Sequence, residues 1–198
     1  SANATCVLVA LDSWGFGIVR TLLRGFAALL SLLVMAPSSG AEECGNLSSV
    51  CLQILGSGGP IADDGRASSS YLLWHGGKAR VIVDIGGGAV LRYGQSGANF
   101  DDLEVILLSH LHADHTADLP ALLKSGYFSK RARPLLIAGP DKGGNNRVWF
   151  PSLEEYLQAL FASPRGAYAY LNEYLPGSGS PVELVPTTIP AVSSRSFY

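Results

Sequence analysis

The chain has 198 residues, 47% hydrophobic and 15% charged, with a formal net charge of −2. That size and apolar content fit one globular domain with a real core and exclude a disordered chain. Basic residues are scattered, Lys130 to Arg133 being their only cluster, which excludes a dedicated nucleic-acid binder and leaves nucleic acid only as a substrate.

In chain order, Arg20 and Arg24 precede "GFAALLSLLVMA", an apolar run too short to span a bilayer, and "PSSGA" supplies small residues before Glu42. This is the layout of a signal peptide over residues 19–41, cleaved near Ala41, with a single membrane anchor or a buried helix as the competing reading. Residues 1–18 fit neither leader nor domain and are expected to be spurious upstream sequence, translation starting at Val19. Cys6 leaves with that extension. Cys44 and Cys51 remain, and in an exported protein such a pair can close a small disulfide loop.

The domain is expected over 42–198. "VCLQIL" (50–55) predicts a strand and residues 56–70 a long glycine-rich loop. "YLLWH" (71–75) and "ARVIVDI" (79–85) predict two strands joined by a hairpin at "GGK", and "AVLRYGQSG" begins with a helical turn or two. "LEVILLSH" (103–110) is a continuous apolar run, as for a strand covered on both faces. A helix follows, with Thr116 or Asp118 as its cap and Pro120 in its first turn. "RPLLIAGP" predicts another buried strand, "SLEEYLQALF" (152–161) a helix capped by Ser152, and the remainder a turn with one or two short strands. Strands mixed with helices give an α/β or α+β layering.

Three of the four histidines fall within "HLHADH", residues 110–115, where a packed core would use leucine or valine. On an extended exit from the strand, His110 and His112 project to the same side and can share one cation. Asp114 and His115 are adjacent, so only a turn into the following helix brings both inward, beside a second cation. Imidazole and carboxylate are the ligand set of Zn²⁺, with Mn²⁺ or Fe²⁺ as alternatives, and the lack of cysteine favours a reactive site over a structural one. His75, isolated at a strand end, reads as a structural or surface residue.

"HLHADH" is the HxHxDH motif, and with "DIGGG" and the buried strand leading into the histidines the chain resembles the metallo-β-lactamase superfamily. "LQILGSGGP", "SSS" and "LLIAGP" are similar to its ribonuclease Z, arylsulfatase and phosphodiesterase branch. The resemblance implies an αββα sandwich, of which this chain supplies mainly the first half. It implies that His110 and His112 ligate a first metal, and Asp114 and His115 a second, two divalent ions in all. Asp84 is then the aspartate that supports the ligand loop from behind, a role in which a carboxylate fixes the tautomer of a ligand imidazole, and Ser109 bonds the local backbone. The family completes its metal shells with a histidine, an aspartate and a further histidine downstream, whereas no histidine follows His115. The chain is therefore expected to be a fragment of the complete protein, with a truncated relative that binds metal weakly or not at all as the alternative.

The function so implied is an exported, periplasmic or secreted, metal-dependent hydrolase that turns a metal-activated hydroxide on a phosphodiester or sulfate ester, Asp114 also serving as general base. Lactone or β-lactam hydrolysis, and a binding protein that kept the fold without turnover, are the alternatives. The loop 56–70 is expected to read the substrate, a small ester, with Arg66 as its candidate anion contact. No stable membrane insertion after leader cleavage is expected, and a homodimer is the candidate assembly.

Overall fold

The computed structural model describes residues 44–145 and 148–190; the extension and leader expected over 1–41 lie outside them. Six strands form one sheet: β1 (Val50–Gly56), β2 (Ser70–His75), β3 (Lys78–Val83), β4 (Val105–Leu107), β5 (Leu135–Pro140) and, at the far edge, β8 (Leu184–Ile189). The first three make an antiparallel meander, and β3, β4, β5 and β8 run parallel. The β2–β3 hairpin turns on Gly76 and Gly77, at φ +59° and +70°, left-handed values that a side chain would strain. A small hairpin, β6 (Gly143–Asn145) with β7 (Val148–Phe150), interrupts the path from β5 to the next helix; the sequence reading did not foresee it.

Four helices fill the parallel connections: α1 (Ala89–Gln95), α2 (Ala113–Thr116), α3 (Leu119–Gly126) and α4 (Leu153–Phe161). Their apolar residues, such as Tyr93, Leu119, Leu122, Leu157 and Phe161, form one core with Leu72, Ile82, Ile106, Ile137 and Leu184 of the sheet. α4 starts as its sequence requires, with Ser152 Oγ accepting from the Glu155 amide while the Glu155 carboxylate accepts from the Ser152 amide, so two orphan donors are satisfied reciprocally.

Two expectations about the middle of the chain need correction. The strand expected over 103–110 is three residues long, because Phe100–Asp102 coils into a 3-10 turn capped by Asn99 and the chain leaves the ladder at Leu108 to build the histidine loop. The single helix expected after the histidines is two. Asp118 stands at the N-cap of α3, yet its carboxylate makes no cap bond there and accepts the Val90 amide at 3.0 Å instead, tying α1 to the start of α3.

The opposite face of the sheet is apolar too. In register across all six strands run Ile54, Tyr71, Val83, Leu107, Ala138 and Thr187. A parallel row holds Leu52, Leu73, Val81, Val105, Leu136 and Val185. At the edges Leu52 is 61% and Ile54 62% exposed, so among the described residues nothing covers this face there. Parallel strands rich in valine, isoleucine and leucine on both faces are built for two covering layers; helices supply one of them.

Cys44 and Cys51 are joined by a disulfide with their Cα atoms 5.6 Å apart, inside the range natural bridges span. It pins the 3-10 turn Cys44–Asn46 to β1.

Candidate metal centre

The histidines sit where two parallel strands end, the place at which open α/β sheets present their sites. β3 ends at Val83, and Asp84 takes φ +56°, a left-handed conformation uncommon for a residue with a side chain and found where surrounding structure enforces it. The enforcement is visible. Asp84 donates its amide to the Leu107 carbonyl at 2.8 Å, and its carboxylate, in a residue only 3% exposed, accepts from the Ser109 amide, the Ser109 hydroxyl and His115 Nδ1, each at 2.8 Å. One buried anion thus locks the exit of β4 to the helix that carries His115.

The backbone completes the lock. The Ile85 amide donates to the His115 carbonyl at 2.7 Å and the Asp118 amide to the Ile85 carbonyl at 3.0 Å, so the turn after β3 runs along α2 much as a strand would. Gly86 is glycine for a steric reason: a Cβ there would collide with the Asp114 carbonyl oxygen and lie 2.6 Å from Ser68 Cβ. The loop 56–70 returns to the same turn through Ser68 donating to Gly87 and Gly86 donating to Ser69, which brings the base of that loop against the centre. Its Arg66 spends its guanidinium on Asp64 at 2.8 Å and on Ser57 Oγ at 3.3 Å, holding the loop's own shape. Arg66 also holds the exposed Asp64 carboxyl below its usual value, first through its backbone amide.

His112 is the N-cap of α2 and accepts the His115 amide and Thr116 hydroxyl on its carbonyl, at 3.0 and 3.1 Å. That single turn puts Asp114 and His115 on one side: His115 Nε2 stands 3.4 Å from Asp114 Oδ2. The His110 ring lies 3.9 Å from the His115 ring and 4.7 Å from the His112 ring, centroid to centroid. Burial, then the neighbouring His115 and His112, hold the His110 imidazole below the ordinary histidine pKa, which favours the neutral form a metal ligand needs. His75 is elsewhere: it pairs with Lys78 at the start of β3, the end of the sheet opposite Asp84.

The donor set is right for a divalent cation. Because Asp84 engages Nδ1 of His115, Nε2 is the nitrogen left to bind, and its 3.4 Å separation from Asp114 Oδ2 is close to the about 3.3 Å between two ligands on one tetrahedral zinc ion. Among the described residues, however, no three histidine, cysteine, aspartate or glutamate side chains form a group that could hold a metal ion by itself. The residues fit as part of a coordination shell, held in position from behind, and further ligands are needed to close it.

What sequence reasoning missed here is Arg131, a member of the basic cluster that is buried. Its guanidinium donates to the carbonyls of Leu103 at 2.6 Å, Pro134 at 2.6 Å and Arg133 at 2.9 Å, and burial pushes its pKa down to about 10. It clamps the approach to β4, whose exit carries the histidines, and the approach to β5.

The profile of the metallo-beta-lactamase superfamily matches residues 63–193. A ribonuclease Z of Mycobacterium sp. (strain KMS) is 42% identical over 90 residues, covering 44% of this chain and 31% of the relative. Another, of Agathobacter rectalis, is 33% identical over 130 residues, covering 63% of this chain and 42% of the relative. The chain thus spans about a third to two fifths of the length of these relatives. Among solved structures, human tRNase Z, short form, aligns at 20% identity and a TM-score of 0.48, covering 72% of this chain and 46% of that one. The matched profile takes in the turn of Asp84, the histidine loop and the helix behind it, and the chain belongs to the metallo-β-lactamase superfamily.

Proposed function

We propose that this chain forms part of a metal-dependent phosphodiester hydrolase in which His110, His112, Asp114 and His115 hold divalent cations, zinc first among them. The observation that carries the reading is the Asp84 carboxylate, buried and bonded to His115 Nδ1 at 2.8 Å. A carboxylate that orients a histidine from behind, with a second carboxylate in front of its other nitrogen, is an arrangement suited to holding a metal. Bound cations would supply Lewis acidity, acidifying water and polarising the ester. The chain's own part is to keep His115 in one tautomer, to offer neutral His110, and to receive the attacking water's proton on Asp114. The relatives named ribonuclease Z support a phosphodiester over a sulfate ester.

The test uses the complete gene product. It should carry about two equivalents of metal and cleave bis(4-nitrophenyl) phosphate; chelation, or replacing His110 and His112 together by alanine, should lower turnover by about a thousandfold. A metal-free protein with unchanged turnover sinks the reading.

The same protein works outside the cytoplasm. The Cys44–Cys51 disulfide supports this, because reducing compartments keep such pairs open, as does the leader pattern at 19–41. Thiol labelling and amino-terminal sequencing of the native protein decide it: two blocked cysteines behind a new amino end near Ala41 are expected, and free thiols with Cys6 retained defeat it.

A further inference from the structure

Beside the histidines lies a cavity of about 250 Å³ whose walls are His110 and His112 on one side and Leu111, Pro140, Phe150 and Pro151 on the other. Its composition is unlike that of an anion site. The one carboxylate on its rim, Asp141, is engaged by the Lys142 amide at 2.7 Å, and the prolines offer no side-chain donors. The Phe150 ring lies 5.8 Å from the His112 ring, centroid to centroid, inclined at 48°. The hairpin that the sequence reading did not foresee is what delivers Phe150 to this position.

A phosphoryl group gains nothing from such a wall, whereas a flat apolar ring gains burial against Leu111 and the prolines and an aromatic contact with Phe150. The space is sufficient, being larger than an apolar cavity of about 150 Å³ that takes up benzene. We propose that this cavity is the subsite for a planar aromatic ring carried by the ester, and that Phe150 sets that preference. The proposal rests on the phosphodiester reading of the adjoining centre. The ring's source is either an aryl group or a nucleobase, and the experiment separates the two.

The complete, metal-loaded gene product is exposed to 2-naphthol and to adenosine, and uptake is read by saturation-transfer NMR. Each probe is also tested as a competitor of bis(4-nitrophenyl) phosphate hydrolysis. At least one probe should bind and compete, and F150A should weaken its inhibition by about tenfold, while F150Y, which keeps a ring and controls for folding, should stay within about twofold. Competition by adenosine identifies the ring as a nucleobase; competition by 2-naphthol alone identifies an aryl group. Failure of both probes to bind, binding without competition, or inhibition unchanged in F150A overturns the subsite. If the parent protein hydrolyses nothing yet takes up a ring in a manner lost in F150A, the hydrolase reading falls while the ring preference of the cavity stands.

Discussion

Asp84 shows how a single residue couples backbone and chemistry. Its left-handed turn costs energy, and the three hydrogen bonds on its carboxylate are what the turn makes available. D84N keeps the shape but replaces an acceptor-only group with an amide, so His115 loses the partner that fixes its tautomer. Metal affinity of the complete protein should fall by 10- to 100-fold, on the order found for partners of ligand histidines, with the circular dichroism spectrum unchanged. Isothermal titration with Zn²⁺ checks this, and unaltered affinity would remove Asp84 from the centre. G86A tests the steric half: the added methyl meets the Asp114 carbonyl, so either the turn or α2 must shift. A loss of about 3 kcal/mol is expected, the upper end for overpacking, measured by denaturant unfolding. At this scale the sequence was informative where a spacing encodes geometry. His110 and His112, two apart on an extended chain, do approach each other. The positive φ of Asp84 and the burial of Arg131 depend in part on partners distant in sequence, Ser109 for the one and Leu103 for the other, and no local pattern carries them.

Among the elements, α4 followed most directly from sequence because its capping box is local, Ser152 and Glu155 being three residues apart. S152A should lower stability by about 1 kcal/mol, seen as a reduced melting temperature. The box also has a pH signature. The Glu155 carboxyl is held below its usual value, first by the Ser152 amide and then by Lys142. A depressed folded pKa means the contribution is present above the unfolded carboxyl pKa and is lost as pH falls through the folded one. E155Q should therefore remove the part of the acid-induced weakening that wild type shows below the ordinary glutamate range; identical acid profiles for the two proteins refute the assignment. β4 and the α2–α3 break were harder to read. "LEVILLSH" looks like one long strand because every residue in its middle is apolar, yet the strand shortens where the histidine loop must leave the sheet. Periodicity reports burial and is silent on where a ladder stops.

Across the whole molecule, the sequence reading anticipated strands covered on both faces, and the structure divides that statement in two. Helices cover one face through Ile82, Ile106 and Ile137; the other, with Leu73, Val81, Val105 and Leu136 in one row, is the face that an αββα sandwich closes with a second sheet. Among the described residues that face is left open towards its edges, where Leu52, Leu136 and Val185 are exposed. Exposed Leu52, Ile54, Leu136 and Val185 on one sheet face, flanking half-buried valines and leucines, are more than the scattered hydrophobics of an ordinary surface. Expressed by itself, the 198-residue chain should bind a hydrophobic dye strongly and sediment as oligomers, and L52K with L136K should reduce both without lowering helix content. Leu52 and Leu136 lie on that face, exposed, so charges there need not enter the core. A monomer that ignores the dye would mean that this face is covered after all.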